Sequence, residues 1–369
     1  MRVLVVGSGI VGASTAYHLT SAGADVTVVD GAVTGQATAA GAGVVFPQQL
    51  AAQPRGWEQL VAPALAHWRT VLDPFGADAG IARTGIVYTD DGSRELYDYV
   101  AAVDALAGLP EYESITAAKL LDPAELADLL PVVREGTTGF RYEGARRVDG
   151  RLVTDRLLDL AVAAGAQRRH GTVQLTVDGP GSPAAATLDG ERLSVESVVV
   201  AAGAWSTRLV EPLRVRLPVR PVRGQILHLD LPLADTHDWP IFRRVHSHYL
   251  LGFPGGRVVS GALHEPDAGF DYRRTAAGVA QLLDDALTAA PGLADGTLAE
   301  VRVGFRPVST DGLPVLGRLT DHPHVVVATG LGADGLSFGP YAGSVAADLA
   351  LARDPDLDLA PYAPDRLGS

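Results

Sequence analysis

A glycine turn between a strand-like and a helix-like segment opens the sequence. Gly7, Gly9 and Gly12 follow an apolar, β-branched run, and apolar residues at helical spacing come next. A second β-branched run ends at Asp30. Such glycines permit a tight turn and let a pyrophosphate approach the helix amino end, while the acid can accept both ribose hydroxyls. The pattern predicts a dinucleotide-binding strand–helix–strand unit, with a turn that serves packing alone as the alternative. It does not separate NAD from FAD.

The chain is long enough for two domains and carries a negative formal charge. Its 369 residues exceed a comfortable single core, and 47% hydrophobic against 20% charged residues is ordinary for a globular enzyme. The formal charge of -13 comes without a basic stripe. We therefore expect no nucleic acid partner, because displacing phosphate counterions requires clustered Lys and Arg.

No cysteine is present, which excludes disulfides, thiolate nucleophiles, cysteine-ligated metals and a cysteinyl bond to flavin. The opening residues run directly into the first strand and are too few for a signal-peptide core. No apolar run approaches the roughly 18 residues of a spanning helix. We expect a cytoplasmic protein with no membrane partner and no metal site, and whether it forms a homo-oligomer stays open.

The hydrophobic periodicity changes several times along the chain. Patterns of α/β type return near residues 148–210 and again at the end, whereas alternation dominates from about residue 220 to 271. We infer an α/β fold in which a second, sheet-bearing domain is inserted twice into a nucleotide-binding domain. The predicted nucleotide-binding domain comprises residues 1–84, 146–219 and 300–369, and the predicted substrate-binding domain comprises residues 85–145 and 220–299.

Two further segments place small residues beside strand-like runs. VVVAAGAWS puts Ala202, Gly203 and Trp205 after a buried-looking strand, and GLGADGLS at residues 330–337 opens a helix. Small residues let the backbone pass close to a cofactor. A helix amino end stabilises the negative charge that develops on a flavin during reduction. For the first segment, a core strand with an ordinary turn is the alternative.

Arg306 stands in the otherwise apolar strand-like stretch GFRPVSTDGLPVLG. A guanidinium in such surroundings is costly unless a carboxylate satisfies it, and that carboxylate can come from the protein or from a substrate. Arginine suits the second task because its planar fork binds both carboxylate oxygens.

Four strings follow one another along nearly the whole chain: ATAAGAGVV, VVVAAGAWS, GFRPVSTDGLPVLG and GLGADGLSFGPYAG. In sequence and order they resemble the FAD-dependent D-amino acid oxidase superfamily. That superfamily includes glycine oxidase and sarcosine oxidase. The resemblance implies a Rossmann-type FAD-binding domain with an inserted antiparallel-sheet α+β substrate domain, and FAD as cofactor. It also implies that Arg306, in the family's GxRP string, and Tyr249, which opens a YLxP-like strand, hold the substrate carboxylate. These two are the predicted catalytic residues.

The glycine turn, the small-residue segments and the resemblance together predict a set of FAD contacts. These are Gly7, Gly9, Ile10, Val11, Gly12, Asp30, Thr38, Ala42, Gly43, Val44, Val173, Ala202, Gly203, Trp205, Gly330, Leu331, Gly332, Ala333, Asp334, Gly335, Leu336 and Ser337.

The chain departs from the family at several points. Residues 249–253 read YLLGF where relatives often read YLxPR, and Ala333 replaces an arginine of glycine oxidase. Members of the sarcosine oxidase type bind flavin through a cysteine and use an active-site lysine. Here the only lysine, Lys119, falls in a stretch predicted as an exposed helix. We therefore expect noncovalent FAD and an enzyme unlike sarcosine oxidase proper.

Several other polar residues are candidates for structural roles. His246 and His248 would face one side of a strand, where a solvent-facing or hydrogen-bonded structural role is favoured over a place beside the substrate. His264 and Glu265 are interpreted as a structural pair at a turn. Asp311 is interpreted as a turn former or as the internal partner of an arginine.

Two aromatic residues, Tyr88 and Phe253, fall in strand-like runs. We expect them in the core rather than along a substrate pocket, because aromatic residues of strands are usually core residues.

These observations predict an FAD-dependent oxidase of an amino acid or a related amine. Hydride would pass from the substrate Cα to flavin N5, giving an imine that hydrolyses to an oxo acid, and oxygen would be reduced to hydrogen peroxide. Three alternatives stay open: a dehydrogenase of an amino acid or 2-hydroxy acid with a quinone or protein acceptor, a specialised-pathway amine oxidase, and a nucleotide-binding module with a vestigial site.

Overall fold

The computed structural model describes residues 1–46, 54, 56–89, 95–112, 115–177, 184–232, 235–244 and 248–367. Their strands are β1 (Arg2–Val6), β2 (Asp25–Asp30), β3 (Val44–Val45), β4 (Ile81–Arg83), β5 (Ile86–Thr89), β6 (Lys119–Leu121), β7 (Gly139–Tyr142), β8 (Arg146–Val148), β9 (Gln167–His170), β10 (Val173–Val177), β11 (Ala184–Leu188), β12 (Glu191–Leu193), β13 (Ser197–Val200), β14 (Val219–Asp230), β15 (Ile241–Arg244), β16 (Tyr249–Gly252), β17 (Arg257–Gly261), β18 (Thr297–Ser309), β19 (Val315–Arg318) and β20 (Val325–Thr329). Their α-helices are α1 (Ile10–Ser21), α2 (Ala37–Ala40), α3 (Glu58–His67), α4 (Glu95–Asp104), α5 (Pro123–Leu129), α6 (Gly150–Ala163), α7 (Ser206–Val210), α8 (Ala276–Ala289) and α9 (Gly335–Ala350).

Six of these strands form the first large sheet, in the order β19-β20-β13-β1-β2-β9. β19 is an antiparallel edge strand, and the other neighbours run parallel. On β1, Val3 and Val5 pack with α1 on one face, while Leu4 and Val6 pack on the other with residues of the small β10-β11-β12 sheet. A strand covered on both faces needs apolar residues at every position, which explains the continuous apolar run of β1.

Helix α1 packs closely against α9. Ser14 Oγ donates to the Pro340 carbonyl at 2.6 Å, and Thr15 Oγ1 donates to the Gly343 carbonyl at 3.1 Å. A β-carbon at Gly343 would lie 2.6 Å from the Val11 carbonyl oxygen, so only glycine allows this approach. The contact fixes the amino ends of both helices relative to β1.

The second large sheet contains eight of the described strands, in the order β18-β14-β17-β16-β15-β5-β7-β6. Its neighbours are antiparallel except for the parallel pair β15 and β5. On one face, Phe242, Leu250 and Val258 from three neighbouring strands pack with Ala286 of α8. The predicted alternation corresponds to β14, β16 and β17. A third, small sheet joins β3, β8 and β4.

The stretch around Lys119 is a strand and not the predicted helix. Lys119 begins β6, which pairs with β7, and its side chain is exposed and reaches Glu125 at 2.9 Å. The helix begins only at Pro123, where Asp122 and Glu125 form a reciprocal cap. A proline disfavours helical backbone dihedrals at the residue before it. The helix therefore does not extend back through Asp122, which precedes Pro123 and caps the helix.

The combination of a parallel and a largely antiparallel sheet confirms the α/β fold class. The domain boundaries given above stay a prediction. Within the described ranges, no helix has both the length and the apolar character needed to cross a bilayer.

Candidate active site

A cavity of about 800 Å³ runs from the glycine turn after β1 to the inner face of the eight-stranded sheet. Its walls come from both large sheets, from α2, and from the turn before α9. This volume lies within the range of small-molecule and cofactor sites.

The glycine turn is held by close backbone packing. Gly7 has φ of 104°, and a β-carbon there would overlap the carbonyl oxygen of Ala201. A β-carbon at Gly12 would overlap the carbonyl oxygen of Gly7. Thr38 Oγ1 accepts a hydrogen bond from the Ile10 amide at 3.1 Å and so packs the α2 segment against the first turn of α1. The amino end of α1 therefore faces the cavity, as anion binding requires.

Asp30 is buried at the end of β2 and lines the same cavity. Its Oδ1 accepts hydrogen bonds from the Ala32 amide at 2.8 Å and from Gln36 Nε2 at 3.0 Å, and the Ser8 hydroxyl donates to Oδ2. This network fixes the carboxylate beside the amino end of α1, where it can accept hydroxyl donors. Ser8 and Gln36 were not predicted, because the turn is recognised by its glycine spacing, and this spacing is the same whichever residues occupy positions 8 and 36.

Small residues line the opposite wall. Gly203 and Gly332 have positive φ values of 54° and 56°. A β-carbon at Gly203, Gly332 or Gly335 would meet no described atom within 4 Å, although all three line the cavity. The backbone at these positions is thus exposed to the cavity, which leaves room for a flat group. Trp205 closes this side by an edge-on contact with Phe305, 5.9 Å between ring centres.

Arg306 and Tyr249 meet at the end of the cavity formed by the eight-stranded sheet. Arg306 Nη1 donates to the Leu263 carbonyl at 2.9 Å, and the guanidinium lies near the Tyr249 hydroxyl. Burial raises the pKa of Tyr249, while the neighbouring Arg306 and the charge of Arg243 act in the opposite direction. The hydroxyl is therefore neutral at ordinary pH and remains able to donate.

No ion pair joins Arg306 to a carboxylate of the described part of the chain. The described surroundings of Arg306 are thus a backbone carbonyl and a phenol, and the substrate carboxylate stays a prediction.

The sequence matches the pattern of DAO, the FAD dependent oxidoreductase family, over residues 2–349. The chain belongs to this family. It is an FAD-dependent amine or amino acid oxidoreductase.

Relatives of this DAO-family protein match it over almost their full lengths. It is 37% identical to the uncharacterized oxidoreductase YurR of Bacillus subtilis, over 98% of each chain. It is 31% identical to a glycine oxidase of Pseudomonas putida, over 100% of this chain and 99% of the relative. The crystal structure of iminodiacetate oxidase from Chelativorans sp. BNC1 is similar with a TM-score of 0.92 and 36% identity, over 98% of this chain and 99% of the other.

The cavity of this DAO-family enzyme fits the expected cofactor. A pyrophosphate suits the amino end of α1, a ribose suits Asp30, and the open backbone at Gly203, Gly332 and Gly335 suits the isoalloxazine side of FAD. Most predicted FAD contacts line the cavity: Gly7, Gly9, Ile10, Val11, Asp30, Thr38, Ala42, Gly43, Val44, Val173, Ala202, Gly203, Trp205, Leu331, Gly332, Ala333, Asp334, Gly335 and Leu336.

Three predicted contacts do not line the cavity: Gly12, Gly330 and Ser337. Gly12 serves the close approach of α1 to the turn, and Gly330 provides a φ of 79° beside β19. Ser337 is buried and directs its hydroxyl to the Phe46 carbonyl at 3.5 Å.

Sequence reasoning missed Arg243, which lines the cavity beside Tyr249. The two residues are direct partners in the pairing of β15 with β16. The only sequence signal is an arginine in the short run IFRR, which does not reveal the side of the sheet that it faces.

Of the histidine candidates, His248 is buried and within 2.8 Å of Ser260 Oγ, and burial lowers its pKa to about 4. His246 lies outside the described residues. His264 lines the cavity, and the neighbouring Glu265 forms an ion pair with Arg223 at 2.7 Å. Among the described residues, no cluster of three His, Asp or Glu could hold a metal.

The remaining candidates have structural contacts. Asp311 forms an ion pair with Arg366 at 2.8 Å, as its interpretation as an arginine partner predicts. Tyr88 is fully buried and accepts a hydrogen bond from Tyr99 at 2.7 Å. Phe253 is buried with the Arg257 guanidinium 4.2 Å from its ring centre. Neither aromatic residue lines the cavity.

Proposed function

We propose that this protein is an oxidase that holds FAD noncovalently and oxidises the carbon–nitrogen bond of an amine bearing a carboxylate, with oxygen as acceptor. The observation that carries the proposal is the meeting of the Arg306 guanidinium and the Tyr249 hydroxyl at one end of the cofactor cavity. A planar guanidinium and a phenol hydroxyl together supply the donors that one carboxylate accepts.

The residues of the site act by orienting the substrate. Arg306 and Tyr249 fix the carboxylate, and the strands that carry them fix its distance from the opposite wall at Gly332 and Gly335. A neutral amine held in this way presents its Cα hydrogen to that wall, so positioning supplies most of the rate enhancement. Apolar residues such as Ile226 and Leu263 line the space between and limit the access of water.

Bound in this cavity, FAD would supply the two-electron acceptor for the Cα hydride, and the overall reaction would convert the amine, oxygen and water to an oxo acid, the released amine or ammonia, and hydrogen peroxide. The backbone amide end of α9, at Gly335, borders the cavity and would stabilise negative charge on the ring edge that it faces.

The absence of cysteine in the sequence supports noncovalent attachment. Denaturing the holoprotein and passing it through a membrane that retains protein tests this directly. We expect all yellow colour in the filtrate. Colour retained with the chain would contradict noncovalent binding.

The decisive experiment adds glycine, sarcosine, iminodiacetate and D- and L-amino acids to the anaerobic holoprotein and follows the blue absorption band of the flavin. We expect bleaching by at least one amine, then rapid recovery and peroxide on admission of air. Bleaching with recovery only after a quinone is added would identify a dehydrogenase. A flavin that only 2-hydroxy acids bleach would refute the amine assignment.

The role of Arg306 is tested by Arg306→Ala, with exposed Arg353→Ala as control beyond the far end of α9. Loss of charged hydrogen bonds to a carboxylate should raise KM roughly 100-fold while the bound FAD per chain stays unchanged. An unchanged KM would rule out Arg306 as the carboxylate-binding residue.

A cytoplasmic location and any self-association stay predictions from the sequence.

A further inference from the structure

His264 lies at the substrate end of the cavity, on the face of the sheet that carries the Arg306 guanidinium. The chain after β17 runs antiparallel to β14, where Arg223 and Glu265 exchange two backbone hydrogen bonds of 3.2 and 2.9 Å. One step along each strand, Gly224 and His264 are therefore opposed and lie on the same face of the sheet. The Arg306 guanidinium crosses directly over Gly224. The imidazole of His264 thus lies beside that guanidinium.

The imidazole also borders solvent. The residue before it, Leu263, accepts the hydrogen bond of Arg306 Nη1 through its carbonyl at 2.9 Å, which ties this segment to the substrate end of the cavity. Among the residues that line the cavity here, Ile226 and Leu263 are buried, whereas His264 is exposed. His264 therefore lies where this end of the cavity meets solvent, and its ring can exchange a proton with water.

His264 is neutral at ordinary pH. Burial of part of the ring and the charges of Arg306 on β18 and Arg220 on β14 all lower its pKa. The adjacent Glu265 faces the other side of the sheet, where its carboxylate binds Arg223 at 2.7 and 2.8 Å. Within the described ranges, no hydrogen bond or ion pair engages the His264 ring. Its unprotonated ring nitrogen is therefore available as a proton acceptor.

The proposed reaction requires a proton to leave the substrate. Amines that bear a carboxylate are ammonium ions at neutral pH, whereas the Cα hydride leaves from the neutral amine. A carboxylate held by Arg306 and Tyr249 places the ammonium close to a guanidinium, which favours loss of its proton. Transfer of this proton to His264 moves a positive charge from the interior of the cavity to its exposed end, where water solvates it.

We propose that His264 accepts the ammonium proton of the bound substrate and passes it to water before the Cα hydride leaves. This inference rests on the proposed function, since it assumes that Arg306 and Tyr249 hold the carboxylate. In the step, an N–H bond of the ammonium breaks, its electron pair stays on the amine nitrogen, and a ring nitrogen of His264 gains the proton. The imidazolium then gives the proton to water, so the ring is regenerated and the overall reaction is unchanged.

The first readout is the rate at which a saturating amine bleaches the flavin of the anaerobic holoprotein, measured across pH. We expect the parental rate to be level above about pH 7, because His264 is already neutral there. His264→Gln should lower the rate roughly 100-fold at pH 7 and make it rise with pH, because water or hydroxide must then take the proton. His170→Gln, at an exposed position of β9, is the control and should keep the parental profile. A parental rate in His264→Gln at every pH would overturn the inference.

The second readout is rescue by an external base. His264→Ala removes the ring, so added imidazole should raise the bleaching rate of this variant in proportion to the concentration of neutral imidazole. The parental rate should not respond. A role of the ring in shaping the cavity predicts no such rescue. Loss of rate in both variants, with neither rescue nor a steeper dependence on pH, would refute proton transfer by His264.

The third readout separates proton transfer from carboxylate binding. (Methylthio)acetate carries the carboxylate but no nitrogen, and titrating it into the holoprotein while following the flavin absorbance gives its Kd. We expect the same Kd in the parent and in His264→Gln. A Kd weakened as much as the rate would assign His264 to carboxylate binding and overturn the inference. Equal bleaching rates in parent and variant would refute the inference alone, whereas a parental flavin that no amine bleaches would refute the proposed function and this inference with it.

Discussion

The Arg306 guanidinium lies directly over Gly224, close enough that a β-carbon on Gly224 would be 2.5 Å from Nη1 and 2.6 Å from Cζ. Gly224 belongs to β14, the strand between Arg306 and the rest of the substrate end of the sheet. The absence of a side chain at this one position lets the arginine of β18 cross its neighbour and reach the Tyr249 hydroxyl. The carboxylate site therefore depends on a residue that need not touch the substrate.

The substitution Gly224→Ala should displace the Arg306 guanidinium and raise KM for a carboxylate-bearing amine roughly 10- to 100-fold, because a charged hydrogen bond is lost. Bound FAD per chain should not change. Steady-state kinetics and the ratio of flavin to protein absorbance measure the two effects. In the Arg306→Ala background the same substitution should add little, since its effect acts through that side chain. Additive losses in the double variant would contradict this path.

The substitution Asp30→Ala should weaken FAD binding roughly 10- to 100-fold, because the carboxylate that can accept ribose hydroxyls is removed. Asp25→Ala is a matched control, since Asp25 is exposed at the other end of the same strand. Titration of each apoprotein with FAD, followed by flavin fluorescence, gives Kd. Equal Kd values for the two variants would place the ribose elsewhere.

The nucleotide-binding half could be predicted because its signals are local. All of these signals lie within one strand–helix–strand unit: the apolar strand, the turn at Gly7 and Gly12, and Asp30. A β-carbon at either glycine would clash with a backbone carbonyl oxygen, which explains why glycine is needed at this spacing. The wrong prediction at Lys119 also has a local cause. The residues there do show helical spacing, but the cap at Asp122 sets the start of the helix.

The substrate end could be predicted only in part, because it depends on strand register. Arg306 stood out as a charge in an apolar run, but its crossing over Gly224 required the pairing of β14 with β18. Arg243 was missed because the side of the sheet that it faces is known only once β15 is paired with β16, which sets Arg243 opposite Tyr249. The connection between these strands lies outside the described residues. Asp30 was predicted, whereas its partners Ser8 and Gln36 depend on how the chain after β2 folds back.

The substitution Gly12→Ala should lower the stability of the apoprotein as well as its affinity for FAD, in contrast to Asp30→Ala. A β-carbon at Gly12 overlaps the Gly7 carbonyl oxygen, so α1 must move away from the turn. Overpacking of this kind costs about 1–3 kcal/mol. Urea unfolding of the apoprotein measures it, and Ser21→Ala, exposed on the same helix, is the control. An apoprotein as stable as the parent would indicate that Gly12 is needed for cofactor contact instead of packing.

The stability of the protein should fall as pH drops below about 6.5, in part because of His18 and His67. Their Nε2 atoms are 3.4 Å apart between α1 and α3, and burial lowers the pKa of His18 to about 4. Burial, together with the charge of His18, lowers the pKa of His67 to about 3. Between pH 6.5 and 4 the unfolded chain binds two protons that the folded chain does not, so acid favours unfolding by at most about 2.7 kcal/mol per pH unit for this pair.

The double variant His18→Gln/His67→Gln removes both titrating groups, so its free energy of unfolding should decline less steeply between pH 7.5 and 5 than that of the parent. Part of the slope should persist, because burial also lowers the pKa values of His228 and His248 to about 4. Urea unfolding at a fixed excess of FAD measures the slopes, and His170→Gln, at an exposed position, is the control. A double variant with the parental slope would show that these two histidines already bind protons in the folded state, and that their contact between α1 and α3 does not require neutral rings.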